Sequence, residues 1–296
     1  MPTATALGRV VTVMLEVSGT PVASFDGFDS DVKIEMDSKD STPNKCNITL
    51  FNLPEQYRSA FQKSGVKVRV LAGYKRAGTA VLGIYDVQRA SSRVEGVDWI
   101  TQVQAAEAMA AFRETLVSST FPPGVNKATV YRQCTLPLLA YGVLSGNFDS
   151  TLGASAGAFA NGITVEGRAF KLLEDFARKE GYFLSVQNHQ LTFLEVDGAS
   201  VTGVISVSPY DGLIGEPEYS DADPKMKKKA QVKCRSLLRH EARPGMQLII
   251  NLPQGQGFIR GQQRLTKVTH NLSTYAQPFY TDFESEDVSS GGGEVA

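Results

Sequence analysis

Asn44-Lys-Cys-Asn-Ile-Thr-Leu-Phe-Asn-Leu-Pro-Glu55, followed at a short distance by Val66-Lys-Val-Arg-Val-Leu-Ala-Gly-Tyr74, reads as strand, short helix, strand. Cys46, Ile48 and Leu50 alternate with Lys45, Asn47 and Thr49, the period of a strand with one buried face. Asn52 is placed to cap a helix, with Pro54 in its first turn and Glu55 three residues on to close a capping box. Leu53, Tyr57 and Phe61 recur at helical spacing, and Gly65 supplies a left-handed stop. Val66, Val68 and Val70 then alternate with Lys67 and Arg69. The expected product is a helix wedged between two strands of an antiparallel sheet.

Strands extend outward on both sides. Val11, Val13, Leu15 and Val17 alternate with Thr12, Met14 and Glu16. A turn-rich stretch around Pro21 and Gly27 leads to Val32, Ile34 and Met36, and residues 37–43 read as a loop. Beyond Tyr74 come a turn at Lys75 to Gly78, a strand from Val81 to Arg93, a turn at Glu95-Gly96, and a strand with Trp99, Thr101 and Val103 on one face. Six or so strands with short connections predict a small antiparallel barrel, which leaves no open edge.

Near Ala105 the composition shifts toward Ala and Leu. Asn126 to Tyr141 reads as a helix with Leu138 and Leu139 inward and Pro137 kinking or ending it. Gly146 to Gly162, rich in Gly, Ala and Ser, reads as an exposed loop or hinge. Ala169, Leu172, Leu173, Phe176 and Ala177 form one apolar stripe, with Lys171, Glu174, Asp175, Arg178 and Lys179 opposite and Gly181 as the stop. Tyr182, Leu184 and Val186 run into a two-residue turn at Asn188-His189, and Leu191 and Phe193 return. From Val201 to Phe283 the strand pattern resumes, with a loose turn at Pro253 to Gly257. After Ser285 the chain turns acidic and ends Gly-rich, a tail expected to be disordered. The expected class is mainly β: antiparallel barrels at 1–105 and 201–284, a mixed α+β domain at 106–200, and a tail at 285–296.

The 30 Lys plus Arg against 31 Asp plus Glu in 296 residues leave a net charge of −1, so no global basic field points to nucleic-acid or anionic-membrane binding. Apolar runs are too short for a membrane span, and Met1 to Arg9 lacks the basic start and apolar core of a secretory signal. Cys46, Cys134 and Cys234 are an odd number of widely spaced cysteines, read as buried free thiols of a protein folded in a reducing cytoplasm. Asn47-Ile-Thr49 and Asn271-Leu-Ser273 match the glycosylation pattern by chance.

Chemistry-bearing patterns are few. Gly153-Ala-Ser155-Ala-Gly157 fits a nucleophile elbow, and Asp175 or Asp197 followed by His240 satisfies the hydrolase order of triad members. The small residues on both sides favour a flexible loop over a strained strand-to-helix turn. His189, His240 and His270 form no i,i+4 pair and have no ligand-spaced Cys or carboxylate. Lys225-Met-Lys-Lys-Lys229 follows Asp221 and Asp223, so its charge is nearly balanced and it reads as a solvated edge. No catalytic, cofactor-binding or metal-binding residue is assigned, and no enzymatic role.

The Asn44–Glu55 and Val68–Tyr74 segments resemble the first barrel of the baseplate hub proteins of tailed bacteriophages. A second likeness lies at Cys234-Arg-Ser-Leu-Leu-Arg-His-Glu-Ala-Arg-Pro-Gly-Met246, followed by Lys267-Val-Thr-His270. In that family a strand ending in Leu-Leu leads through a Pro-Gly turn to another strand, and a later strand closes in a His. The resemblance rests on fold-forming residues. It implies a homotrimer whose subunits each contribute two related barrels, so that a threefold ring presents six tube-like units to a hexameric tail tube. The implied partners are the tail tube protein, the central spike, and the baseplate wedge and tape-measure proteins. Genomic DNA is met only in passage through the lumen, with no membrane and no cofactor. The implied location is the virion tail baseplate, assembled in the host cytoplasm. Two other readings remain: a hydrolase or carbohydrate-binding accessory protein with β domains, and a tail tube-like protein, expected to be hexameric with one barrel per chain.

Overall fold

A computed structural model describes residues 8–17, 19–39, 42–196, 201–222, 229–252 and 262–288. Asp197, the lysine run at 225–228, the turn expected at Pro253 to Gly257 and the end of the chain from Ser289 lie outside the described residues, as does most of the N-terminal stretch before Arg9.

The first segment holds β1 (Arg9–Val17), β2 (Thr20–Asp26), β3 (Ser30–Asp37), β4 (Lys45–Phe51), α1 (Glu55–Ala60), β5 (Val66–Tyr74), β6 (Gly78–Glu95) and β7 (Asp98–Ala106). Strand, helix and strand follow as expected, because the alternating apolar sets are buried: Cys46, Ile48, Leu50, Val66, Val68 and Val70 are each at most 3% exposed. Burying side chains of this kind contributes roughly 1.5–3 kcal/mol each.

Two local expectations change here. The stretch around Pro21 is a strand, β2, and not a turn. It is tolerated because β2 is the outermost strand, paired only with β1, where a missing N–H costs no ladder bond. The helix ends at Ala60, short of Gly65, and Asn52 does not cap it. Asn52 sits at φ 55°, its Oδ1 accepts from the Trp99 N–H at 3.0 Å, and its Nδ2 donates to Asp98 Oδ1 at 2.8 Å.

The middle segment contains α2 (Met109–Glu114), β8 (Leu116–Phe121), β9 (Val125–Asn126), α3 (Lys127–Ala140), β10 (Ala158–Phe159), β11 (Ile163–Arg168), α4 (Ala169–Lys179), β12 (Tyr182–Gln187) and β13 (Gln190–Glu195). Asn126 caps α3 through a 2.8 Å bond from the Ala128 N–H, as its residue type favours. Pro137 lies inside α3 without ending it; Leu138 is buried, whereas Leu139 faces outward and is 42% exposed, against expectation. The Gly-Ala-Ser stretch is no open loop. It carries short 3₁₀ turns at Phe148–Ser150 and Leu152–Ala154, pinned by Phe148 and Leu152, 1% and 0% exposed. α4 follows its apolar stripe and stops before Gly181 at φ 82°, although Glu174 of the expected wet face is buried between Lys171 and Arg178. β12 and β13 form the hairpin, with Asn188 and His189 both left-handed (φ 53° and 58°) as a type I′ turn needs.

The last segment holds β14 (Val204–Val207), β15 (Leu213–Ser220), β16 (Gln231–Leu237), β17 (Gln247–Ile250), β18 (Gln263–Ser273) and β19 (Phe279–Asp287). The acidic stretch after Ser285 is ordered at its start, because Glu286 lies in β19 and Val288 is 3% exposed.

The chain divides into two compact units, one of Met1–Met36, Asn44–Ala106 and Ala199–Ala296, the other of Asp37–Pro43 and Glu107–Gly198. In the first unit the strands run β15-β16-β19-β18-β3-β4-β7-β6-β5-β1-β2, with β14 and β17 attached beside β18. β14 pairs with β17 in parallel, whereas the runs β15-β16-β19-β18 and β3-β4-β7-β6-β5-β1-β2 are each antiparallel throughout. Among the described residues this pairing closes no barrel. β3 pairs with β4 on one edge, but its other edge, which a self-contained first barrel would close within its own segment, lies against β18, and the first and last segments share one sheet. Their side chains share one core, in which Val13, Ile34 and Val70 join Leu265, Val268 and Phe283. Among the described residues no helix is long and apolar enough to cross a membrane.

Candidate functional site

The residues singled out for catalysis in the sequence are not arranged for it. Ser155 follows the 3₁₀ turn at Leu152–Ala154 in extended conformation (φ −58°, ψ 123°), so it occupies no strand-to-helix elbow. Asp175, on α4 of the same unit, is engaged by Lys171 at 3.2 Å. His240 belongs to the other unit, between β16 and β17, and its nearest acidic neighbour is Glu241, Nδ1 to Oε2 3.5 Å. His189 is a turn residue whose backbone N–H donates to the buried Glu107 Oε1 at 2.7 Å, with its ring Nδ1 at 3.4 Å from the same oxygen.

His270 lies in β18 with no exposure. The Arg239 N–H donates to Thr281 Oγ1 at 3.0 Å, and that hydroxyl lies 2.9 Å from His270 Nδ1. Whichever of the two donates, this bond holds the buried ring by its Nδ1. Burial, with Arg243 and His240 adding positive charge nearby, pulls the imidazole down to about 3, so it is neutral at physiological pH. All three cysteines are buried free thiols, as expected. Among the described residues no cluster of His, Cys, Asp and Glu is able to hold a metal.

The first unit instead presents features suited to contact. Charged side chains line one sheet face: Arg235 meets Asp282 at 2.6 Å, Lys233 meets Glu284 at 3.3 Å, Lys33 meets Glu35 at 2.7 Å, and Asn271 donates to Asp282 at 2.9 Å. The Arg235 guanidinium also lies over the Tyr280 ring at 3.9 Å. These pairs, cross-strand except for Lys33 with Glu35 within β3, flank a groove of about 660 Å³ whose other wall is β15. A second groove of about 460 Å³ is lined by Tyr74, Asp211, Arg239 and Glu241, where Arg239 latches the turn at Asp211 onto the loop after β16. β6 outruns its neighbour β5: pairing with β5 ends at Asp86, whereas pairing with β7 continues to Glu95. The strand itself is legible in the sequence, but its exposed outer half is not, because alternation persists with both faces wet.

No protein-family model matches the chain, and no curated protein matches it in sequence. Solved structures do. A tail protein from Neisseria meningitidis MC58 aligns over 95% of this chain and 97% of its own, with TM-score 0.61 and 11% identity. The 43 kDa tail protein of prophage MuSo2 from Shewanella oneidensis aligns over 93% and 96%, with TM-score 0.61 and 9% identity. A component of the type VI secretion system of E. coli, described as similar in structure to the T4 bacteriophage tail proteins gp27 and gp5, aligns over 92% and 76%, with TM-score 0.56 and 11% identity.

The chain shares its fold with these tail proteins. Within it, the residues that carried the sequence resemblance are structural. Cys46, Ile48 and Leu50 are core, β16 ends at Leu237 with Leu238 buried after it, Gly245 turns at φ 91° ahead of β17, and His270 is sealed inside β18. At such low identity the tail-protein fold persists because it asks only for alternation and turns at the right places, which many side chains satisfy.

Proposed function

We propose that the chain is a structural tail protein acting as a trimeric baseplate hub, which adapts a hexameric tail tube to a threefold central spike and lets DNA pass through its lumen. The observation that carries this reading is the near-complete mutual coverage with the Neisseria and Shewanella tail proteins, 95% and 97% in one case and 93% and 96% in the other. A whole-chain match is what a shared architectural role predicts, whereas a borrowed domain matches in part. The placement of Ser155, away from any nucleophile elbow, weighs against the hydrolase alternative.

The role is mechanical. Main-chain pairing and a shared apolar core keep the first unit rigid, and contacts between copies, closed by cyclic symmetry, supply the area of an obligate assembly. A near-neutral chain, with charge −1, does not retain DNA in passage. The partners on this reading are the tube, spike, wedge and tape-measure proteins, in the tail of the virion, with the second unit facing the wedge or spike. Native mass and low-magnification imaging of the purified protein test it. A trimer with a threefold outline and a pseudo-sixfold pore is expected; a hexamer favours the tube-like reading, and a monomer at all concentrations removes both.

A further inference from the structure

Building on the ring-forming reading above, we propose that the outer half of the β6–β7 hairpin is an arm that docks on β15 of a second copy of this chain, with Arg89 and Arg93 of the arm meeting Glu216 and Glu218 of the partner edge.

The arm is defined by where pairing stops. β5 accompanies β6 only to Asp86, so Gln88–Glu95 is an open edge with β7 on its other side; β4 backs β7 from Ile100 onward, and the tip from Val94 to Trp99 is two-stranded. An open strand edge ending in a two-stranded tip is a template for another chain and gains stability when something packs on it. Its tip is apolar and open: Val97 is 94% exposed, Val94 is 55% exposed, and Trp99 lies directly across from Val94 with the Arg58 guanidinium 3.5 Å from its ring. Arg89 and Arg93 point to the same face. Arg93 is steadied by Gln102 at 2.9 Å and by Glu95 at 3.1 Å, and Arg89 has no ion pair among the described residues.

β15 carries the complementary set. Its pairing with β16 skips from Ile214 to Glu218, so Gly215, Glu216 and Pro217 bulge from the edge. A bulge and a proline stop another strand from adding by main-chain bonds, so contact there is made by side chains. Those side chains are two carboxylates flanked by half-exposed Ile214 and Tyr219, and the 660 Å³ groove beside them offers room for a hairpin tip. β2, the edge at the far end of the sheet, has a proline too but only Asp26 as an acidic residue, so it lacks this match in charge. In the strand order β16, β19, β18, β3, β4 and β7 stand between β15 and β6. Arm and edge therefore occupy different places on one sheet, and copies join them head to tail, the type of contact that closes into a ring.

The test is the mass in solution, by light scattering over a concentration series, of wild type, R89E/R93E, E216K/E218K and the variant carrying all four changes. Each double variant is expected to associate at least tenfold more weakly, and the fourfold variant, with both charges exchanged, to recover. Val97→Asp, at a tip too exposed to affect folding, is expected to weaken association as well. If wild type is trimeric and the doubles and Val97→Asp remain trimeric, this interface is wrong while the hub reading stands. If the doubles dissociate and the fourfold variant does not recover, the pairing of these two surfaces is wrong. A wild type that is monomeric throughout removes both proposals.

Discussion

Arg264 on β18 and Glu286 on β19 face each other in register as a buried ion pair, Nη2 donating to Oε1 at 3.1 Å with the two side chains 2% and 5% exposed. Beside them Ser285 donates to Gln263 Oε1 at 3.0 Å, so the polar pocket is internally bonded. Removing one partner of such a pair strands a charge away from water. Arg264→Met or Glu286→Gln alone is expected to cost about 3–5 kcal/mol in urea unfolding, and the double change to Met and Leu to recover most of it. Equal losses in single and double variants contradict that account.

His270 makes stability depend on acid. Its folded-state value is about 3 against 6.5 for the free side chain. Above pH 6.5 neither state binds the proton and the full stability is present. Between about 6.5 and 3 only the unfolded chain binds it, so stability falls as pH falls, by at most about 1.4 kcal/mol per pH unit. His270→Asn should flatten that part of the pH profile of chemical unfolding; an unchanged slope assigns the acid sensitivity to carboxylates.

Adjacent leucines of α3 should behave oppositely. Leu138→Ala empties a fully buried position and is expected to cost roughly 2–5 kcal/mol, whereas Leu139→Ala should fall within about 0.5 kcal/mol of wild type. Leu152→Ala should resemble Leu138→Ala, since Leu152 anchors the Gly-Ala-Ser stretch. Thermal unfolding of the three variants decides it, and a silent Leu152→Ala would mean the stretch is an open loop after all.

Asn52 ties the end of β4 to the β6–β7 turn. Asn52→Ala removes two hydrogen bonds and places a Cβ without a polar tip at φ 55°, an expected loss of about 1–3 kcal/mol. A double-mutant cycle with Asp98→Ala should show coupling; additivity would return Asn52 to the role of a helix cap.

The cysteines should be inert. Burial pushes the Cys134 and Cys234 thiols up to about 12 and raises Cys46 further, so iodoacetamide labelling at neutral pH should be slow in the folded protein and complete in denaturant.

The legible parts of the chain are those whose signal is local. α4 and the Asn188-His189 hairpin could be read within fifteen or so residues because an amphipathic stripe and two residues tolerant of positive φ carry their own instructions. β1, β3, β4 and β5 were readable as strands, and the burial of their apolar sets as one face. The misreadings concern what lies opposite. Asn52 has the residue type of a cap, but Trp99 and Asp98, more than forty positions away, claim its side chain. Gly146 to Gly162 lacks periodicity, yet buried Phe148 and Leu152, with Asn147 bonded to the Phe193 backbone, pin it.

For the candidate interface the position is similar. Arg89, Arg93, Glu216 and Glu218 are ordinary exposed charges in the sequence, and only the extent of β6 beyond β5 and the skipped register of β15 single them out.

By itself, then, the order of residues determined which segments are extended, which face of each is apolar, and that the ends of the chain are β with a mixed middle. That β3 pairs with β18, so that both ends form one sheet over one core, was decided only in three dimensions. The reason is physical: alternation encodes which side chains leave water, but the N–H and C=O groups along a strand edge are the same in every residue but proline, so the choice of neighbour rests on the packing of the whole.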